Sequence, residues 1–346
     1  MGDLRFIGVD IGGTNVDALL ADETHQEIAF VSNPIRGQGG LRPIDVVIQT
    51  VNQLISSEKF GQSSKLASIG VGVPGLVDVK TGRVDLAVNL DEPSIELGYL
   101  LGQNFGVPVS VENDANAYAI AAAAYLVDPA IKNLAFITLG TGVGGGLVLN
   151  GEVYRGSKNM AGEIGHTYAG DTDVRCQCGL YGCLETFVAG PALARQAREV
   201  IFSAEESTLK QSAQLDAAAV FHHASSGDAA AQGIVKQMSK VLSRALHTLI
   251  MSFDLQKIIL GGGLSRAGNG LLHPVLDEWV KLSSQSEMAA EMLQPSILEI
   301  CPPNFKAGAW GATSIAISNF LEIDPHQHDE VIKQRPEIMK NLRPTM

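Results

Sequence analysis

Four residues raise the question of chemistry first: His166, Cys176, Cys178 and Cys183. The chain has only four cysteines, and three of them fall within "CQCGLYGC", residues 176–183. One imidazole and three thiolates form the donor set of a closed tetrahedral zinc site, with no position left for a reactive water. The predicted zinc is therefore structural. The competing reading is a set of free buried thiols, since a disulfide across Cys-x-Cys is strained. Glu163 and Glu185 bracket the set, and a metal would fix where these two carboxylates point. Cys301 stands alone and reads as a core residue.

Carboxylates and glycines supply a second theme. "DIGGT" at 10–14 and "LGTGVGGG" at 139–146 each follow an apolar strand. Glycine lets backbone N–H groups come close to phosphate oxygens. Neither turn has the Gly-Lys-Ser/Thr of a P-loop, and neither opens a helix as a dinucleotide fingerprint does. Each alone reads equally well as a tight hairpin. Together with Asp10 they suggest a nucleoside triphosphate bound with magnesium. In "ENDAN", 112–116, Asp114 sits where a strand gives way to a helix. It suits a general base for an alcohol attacking a phosphoryl group, or a helix N-cap. The stretch by itself favours the cap. His222 and His223, in a polar linker, and His326 and His328, in the tail, read as solvated.

The elements that must position these residues can be read from periodicity. "RFIGVDIGGTNVDALLAD" is strand, glycine turn, strand. Residues 44–57 have helical spacing. "LASIGVGVPG" and "VPVSVEND" are strands, the second followed by the Ala-rich helix "ANAYAIAAAAYL". "LAFITLGTGVGGGLVLNG", 134–151, repeats the strand–glycine–strand pattern and suggests two related lobes. Helices are predicted over 184–204 and 228–253 with a polar linker between. "KIILGGGLSRAG" is a buried strand running into glycines, and "AGAWGATSIAISNFL" a last helix.

With 346 residues and 45% hydrophobic content, the chain has material for two cores. A formal charge of −12 disfavours nucleic acid as a partner. No basic apolar leader or membrane-length apolar run is apparent, so a cytoplasmic protein without a membrane partner is expected.

The motifs "DIGGTN", "GVPGLVD", "AVNL", "VENDANA", "LGTGVGGGLVLNG", "RGSKNMAGEIGH", "CQCGLYGCLET" and "LGGGLS" occur in an order that resembles the ROK family of repressors, reading frames and sugar kinases, over about residues 6–320. The resemblance implies an α/β, actin-like and hexokinase-like (ribonuclease H-like) fold of two lobes around a cleft. The smaller lobe would span 1–118 plus about 309–325. The larger would span 119–308 with the zinc loop, leaving a polar tail at 326–346. It implies Asp114 as the catalytic base. It places Gly75, Asn89, Asn113, Asp114, Glu163, His166 and Glu185 on the sugar, with His166 serving sugar and zinc alike. Asp10 becomes the magnesium-side carboxylate. Gly12, Gly13, Thr14 and Asn15 form the first phosphate turn, Thr141 and Gly142 the second, and Gly262 and Gly263 pack by the adenosine.

The expected activity is transfer of the ATP γ-phosphoryl group to a hexose, glucose at its 6-hydroxyl. Alternatives are a fructokinase or N-acetylhexosamine kinase, and a non-catalytic sugar sensor or transcriptional regulator. Asp10 lies ten residues from the start, so a repressor's helix-turn-helix is not expected before it. By analogy with the family a homodimer or homotetramer is expected. The chain departs from the common pattern at Asn15, where many members carry Lys, at Asp17, where a small or apolar residue is usual, and after "AVNL", where a Trp often follows.

Overall fold

The computed structural model describes residues 3–36, 41–203 and 206–323; the tail at 326–346, with His326 and His328, lies outside them. The chain opens with a meander of β1 (Leu4–Ile11), β2 (Asn15–Asp22) and β3 (Glu27–Pro34), each antiparallel to the last. Helix α1 (Pro43–Ile55) starts with proline at its first turn, where the missing N–H costs nothing. It buries Ile44, Val47, Val51 and Leu54, one stripe at helical spacing. Strand β4 (Lys65–Val73) lies parallel to β1. A small sheet follows, built from β5 (Leu76–Asp78), β6 (Arg83–Ala87) and β7 (Glu92–Ile95). Then come α2 (Leu97–Phe105), β8 (Val109–Asn113) parallel to β4, and α3 (Asp114–Ala121), which runs on through a π-helical turn at Ala122–Leu126.

The pattern then repeats. Strand β9 (Leu134–Leu139) pairs antiparallel with β10 (Val143–Leu149), which leads to the short β11 (Glu152–Val153). Past the cysteine-bearing loop lie α4 (Glu185–Val188), α5 (Gly190–Ser203), α6 (Ala217–Ser225) and the long α7 (Ala229–Phe253). Strand β12 (Lys257–Gly261) joins β9 in parallel, α8 (Asn269–Ser283) and α9 (Glu287–Met292) follow, and β13 (Leu298–Ile300) closes the sheet. The last helix, α10 (Ala307–Ile323), packs on β1, β4 and α3.

The described residues thus divide into two compact units: 3–36, 41–130, 153–161 and 306–323 form one, and 131–152, 162–203 and 206–305 the other. Their sheets run β3-β2-β1-β4-β8 and β11-β10-β9-β12-β13. Each contains an antiparallel pair (β1–β2, β9–β10) with two parallel strands on one side (β4 and β8, β12 and β13) and a fifth strand on the other, so the similarity seen between the two glycine-bearing stretches is one of topology. The first core gathers Ile7, Val9, Val47, Ile69 and Val71, the second Ile137, Leu242, Leu246, Leu260 and Trp279. The Ala/Gly content of α10 reflects close packing. A Cβ on Gly70 of β4 would lie 1.9 Å from the Ala312 carbonyl oxygen.

Three expectations need correction. The helix over 184–204 is two pieces, α4 and α5, because Ala189 between them takes an extended conformation. The polar linker contains α6, capped by the Asp216 carboxylate accepting from the Ala219 N–H. His223 on that helix is not merely solvated: its ring is half-buried and hydrogen-bonded to Thr208 and Ser212. His222 is exposed, as expected.

Candidate active site and metal centre

In the first unit, Asp10 sits between the buried Val9 and Ile11 of β1 and stands opposite Asp17 in the β1–β2 ladder. Tyr118 of α3 donates its hydroxyl to Asp10 Oδ2 at 3.3 Å, while Oδ1 is buried with no hydrogen-bond partner among the described residues. Burial, then the charges of Asp114 and Asp17, push the Asp10 carboxyl up to about 8. Gly308, in the first turn of α10, makes room for it, since a Cβ there would lie 2.0 Å from Asp10 Oδ2. A buried carboxylate oxygen without a partner, with two more carboxylates in electrostatic reach, fits a hard divalent cation such as magnesium.

The first glycine turn is closed by the Gly12 N–H donating to the Asn15 carbonyl at 2.9 Å. Gly13, Thr14 and Asn15 are exposed. Asn89 Nδ2 donates to the Ile11 carbonyl at 3.1 Å, which holds its amide beside the turn. The Asn15 side chain donates to Ser32 Oγ, which in turn donates to Asp17.

At the end of β8 the cap is Asn113, not Asp114. Asn113 Oδ1 accepts from the N–H groups of Ala115 and Asn116, and its Nδ2 donates to the Gly75 carbonyl at 3.3 Å. Asp114 is the first residue of α3. Behind this junction lies Glu112, buried, whose Oε1 accepts from the Asn113 N–H and from Asn116 Nδ2. Its Oε2 is held by the Arg155 guanidinium at 2.7 Å.

In the second unit, the second turn is buttressed by Glu185. Its Oε2 accepts from the Val143 N–H at 3.0 Å, and a Cβ on Gly142 would lie 2.7 Å from the same oxygen. Thr141 is exposed at the tip. Gly262 has φ +81° and lies against the Leu139 backbone, while a Cβ on Gly263 would meet no atom within 4 Å. The tip of this turn is therefore open.

The loop that carries the three clustered cysteines folds back on itself through two bridges, Tyr168 with Cys183 and Arg175 with Tyr181. His166 ends a single helical turn, Ile164–His166. The four ligand atoms all lie within 4.8 Å of one another. Cys176 Sγ is 3.5 Å from His166 Nδ1, and Cys178 Sγ is 3.6 Å from Cys183 Sγ. A tetrahedron with zinc–sulfur bonds of about 2.3 Å has edges of about 3.8 Å, so the donor set fits zinc. Burial pushes the Cys183 thiol up to about 12, so a bound cation is what would hold it as thiolate. His166 Nε2 is then left facing Glu163 Oε2 at 4.0 Å. Glu185 Oε1 accepts from the Cys176 thiol at 3.8 Å, so one carboxylate touches both the metal loop and the second glycine turn.

The predicted residues are divided between the units: Asp10, Gly12, Gly13, Thr14, Asn15, Gly75, Asn89, Asn113 and Asp114 lie in the first, and Thr141, Gly142, Glu163, His166, Glu185, Gly262, Gly263 and the cysteines in the second. Cys301 is buried, as a core residue should be. Residues that sequence reasoning missed are Tyr118, Glu112, Arg155 and Gly308. Among the described residues no helix is long and apolar enough to cross a membrane.

The model of the ROK family matches residues 6–319. The chain belongs to the ROK family. It is 35% identical over 280 residues to a glucokinase of Halalkalibacterium halodurans, which covers 80% of this chain and 85% of that one. It is 28% identical over 267 residues to a putative xylose repressor of a Caldicellulosiruptor species, covering 76% of this chain and 67% of that one. The crystal structure of a ROK family glucokinase from Streptomyces griseus, in complex with glucose and AMPPNP, superposes with a TM-score of 0.73 at 26% identity, covering 91% of this chain and 99% of that one. The fold is accordingly the actin-like, two-domain α/β fold of ROK hexokinases.

Proposed function

We propose that this ROK protein phosphorylates the 6-hydroxyl of glucose, with Asp114 as general base. That it is an ATP-dependent sugar kinase rests on its glucokinase relatives at family-wide coverage. The observation that carries the finer reading is the junction of β8 and α3. Asn113 takes the capping role there, and Asp114 stands at the helix start in electrostatic reach of Asp10.

In this reading Asp114 accepts the proton of the sugar hydroxyl as its oxygen attacks the γ-phosphorus and the bond to the bridging β–γ oxygen breaks. Gly75, Asn89, Asn113, Glu163, His166 and Glu185 hold sugar hydroxyls. Carboxylate and amide groups suit that task because each hydroxyl both donates and accepts. The first turn, Gly12 to Asn15, and the second, Thr141 and Gly142, offer backbone N–H groups to phosphate oxygens, and Gly262 and Gly263 lie by the adenosine. Asp10 would hold magnesium, which neutralises charge on the phosphates. His166, Cys176, Cys178 and Cys183 would hold zinc, which fixes the loop that aims Glu163 and Glu185.

A sensor without catalysis is the second reading, favoured by the repressor relative. A coupled ADP-release assay with ATP and magnesium tests both, run over glucose, mannose, fructose, N-acetylglucosamine, N-acetylmannosamine and allose. Glucose should stand well above the rest. Another sugar on top would replace glucose as substrate, and sugar binding without any turnover would favour the sensor.

A further inference from the structure

The second unit carries a patch of charge opposite in sign to the chain as a whole. Against a formal charge of −12, Lys236, Lys240 and Arg244 stand four residues apart along one face of α7, all exposed. Like charges at this spacing repel one another along a helix. With Lys281 of α8 they line one cavity of about 310 Å³. Glu278 is the one carboxylate lining it, and it is paired with Lys281. Among the described residues, Lys236, Lys240 and Arg244 form no ion pair.

A second, independent observation lies in the wall of the same cavity. Ser243 is fully buried in the interior of α7, and its Oγ has no hydrogen-bond partner. A buried hydroxyl is ordinarily satisfied, and a mid-helix serine usually returns its proton to the carbonyl one turn back. Here the hydroxyl of a residue that lines the cavity keeps its donor unused.

We propose that this cavity binds a phosphate group, carried by a small phosphorylated molecule. An arginine offers parallel N–H donors to an oxyanion, the lysines add point charges, and Ser243 supplies a neutral donor. An adjoining cavity of about 430 Å³ shares Lys236, Glu278 and Lys281 and is lined by Phe221, Val235 and Pro274. It gives the organic part of such a molecule an apolar wall. The site belongs to α6, α7 and α8, and none of its residues is among those assigned above to sugar, nucleotide or metal.

The test is a calorimetric titration of the full chain with inorganic phosphate and, separately, with phenyl phosphate, at an ionic strength held constant with chloride. Both should bind, and phenyl phosphate should bind more tightly. In the double variant Lys240→Gln/Arg244→Gln both affinities should fall about tenfold or more, since two charge-assisted contacts are lost. Ser243→Ala should weaken both several-fold. If phosphate binds as tightly as phenyl phosphate, with the same loss in the double variant, the site holds but its occupant is free phosphate. Equal affinities in the wild type and the double variant would place the binding elsewhere and overturn the proposal, as would no binding above the chloride background.

Discussion

The Glu112–Arg155 pair offers a quantitative test of how the β8–α3 junction is held. Glu112 is 3% exposed and Arg155 34%. Oε1 of the glutamate keeps its two partners, Asn113 and Asn116, whatever happens to the arginine. Oε2 has only Arg155 among the described residues. Arg155→Met would therefore leave a buried carboxylate oxygen unpaired. Breaking a buried pair from one side costs about 3–5 kcal/mol. A third of the arginine is in water and the pair was partly screened already, which lowers the figure to about 2–3 kcal/mol. With an unfolding entropy near 0.7 kcal/mol/K for a chain of 346 residues, that reads as a Tm about 3–4 °C lower. The turnover number should fall as well, because Asn113 and Asn116 share the disturbed carboxylate. The decisive comparison is Glu112→Gln/Arg155→Met, which removes the charge along with its partner and should recover at least half of the lost Tm. A Tm unchanged in Arg155→Met, or a double variant less stable than the single one, would refute the reasoning.

Asp114→Asn should lower turnover by a factor of about 10² or more while calorimetry still finds sugar binding, because the shape stays and the base goes; near-normal turnover would remove Asp114 from that role. Cys178→Ser should lose zinc by elemental analysis and weaken sugar binding, since the loop that aims Glu163 and Glu185 comes undone; a metal-free wild type with full activity would contradict this. Asp228 caps α7 and accepts from Ala231, Thr208 and Ser207. Burial opposes its ionisation, but these bonds outweigh it and hold the carboxyl well below the usual range. Its contribution is then fully present above the ordinary value near pH 4 and is lost as the pH falls further. Urea midpoints between about pH 2 and 6 should show a shallower acid limb in Asp228→Asn than in the wild type, and identical limbs would speak against it.

The parts of the site that lie close together in sequence were the legible ones. Scarce cysteines in one short run announced the metal set, and the two glycine turns followed unbroken apolar strands. The capping residue was misread by one position because Asn113 and Asp114 are both short polar acceptors, and only the backbone geometry tells them apart. Helix α6 was hidden because a short Ala-rich stretch bearing two histidines has no strong stripe, and α8 because Gly270 and Pro274 interrupt its pattern. The Glu112–Arg155 pair and the Gly308–Asp10 contact join residues 43 and 298 positions apart. No local rule of spacing reaches that far.

The return of α10 to the opening sheet sets a timetable for synthesis. About 300 residues separate β1 from the helix that covers it, and at roughly 5–20 residues per second a ribosome needs about 15–60 s to bridge them. All five strands of the other sheet, β9 to β13, have been made by then. The nascent chain meanwhile holds β1 and β4 without the helix that packs on them, a surface open to chaperones and to unwanted partners. The cluster that Phe6 and Ala67 form with Ala316, Ile317 and Leu321 is complete only once residues 307–323 have emerged.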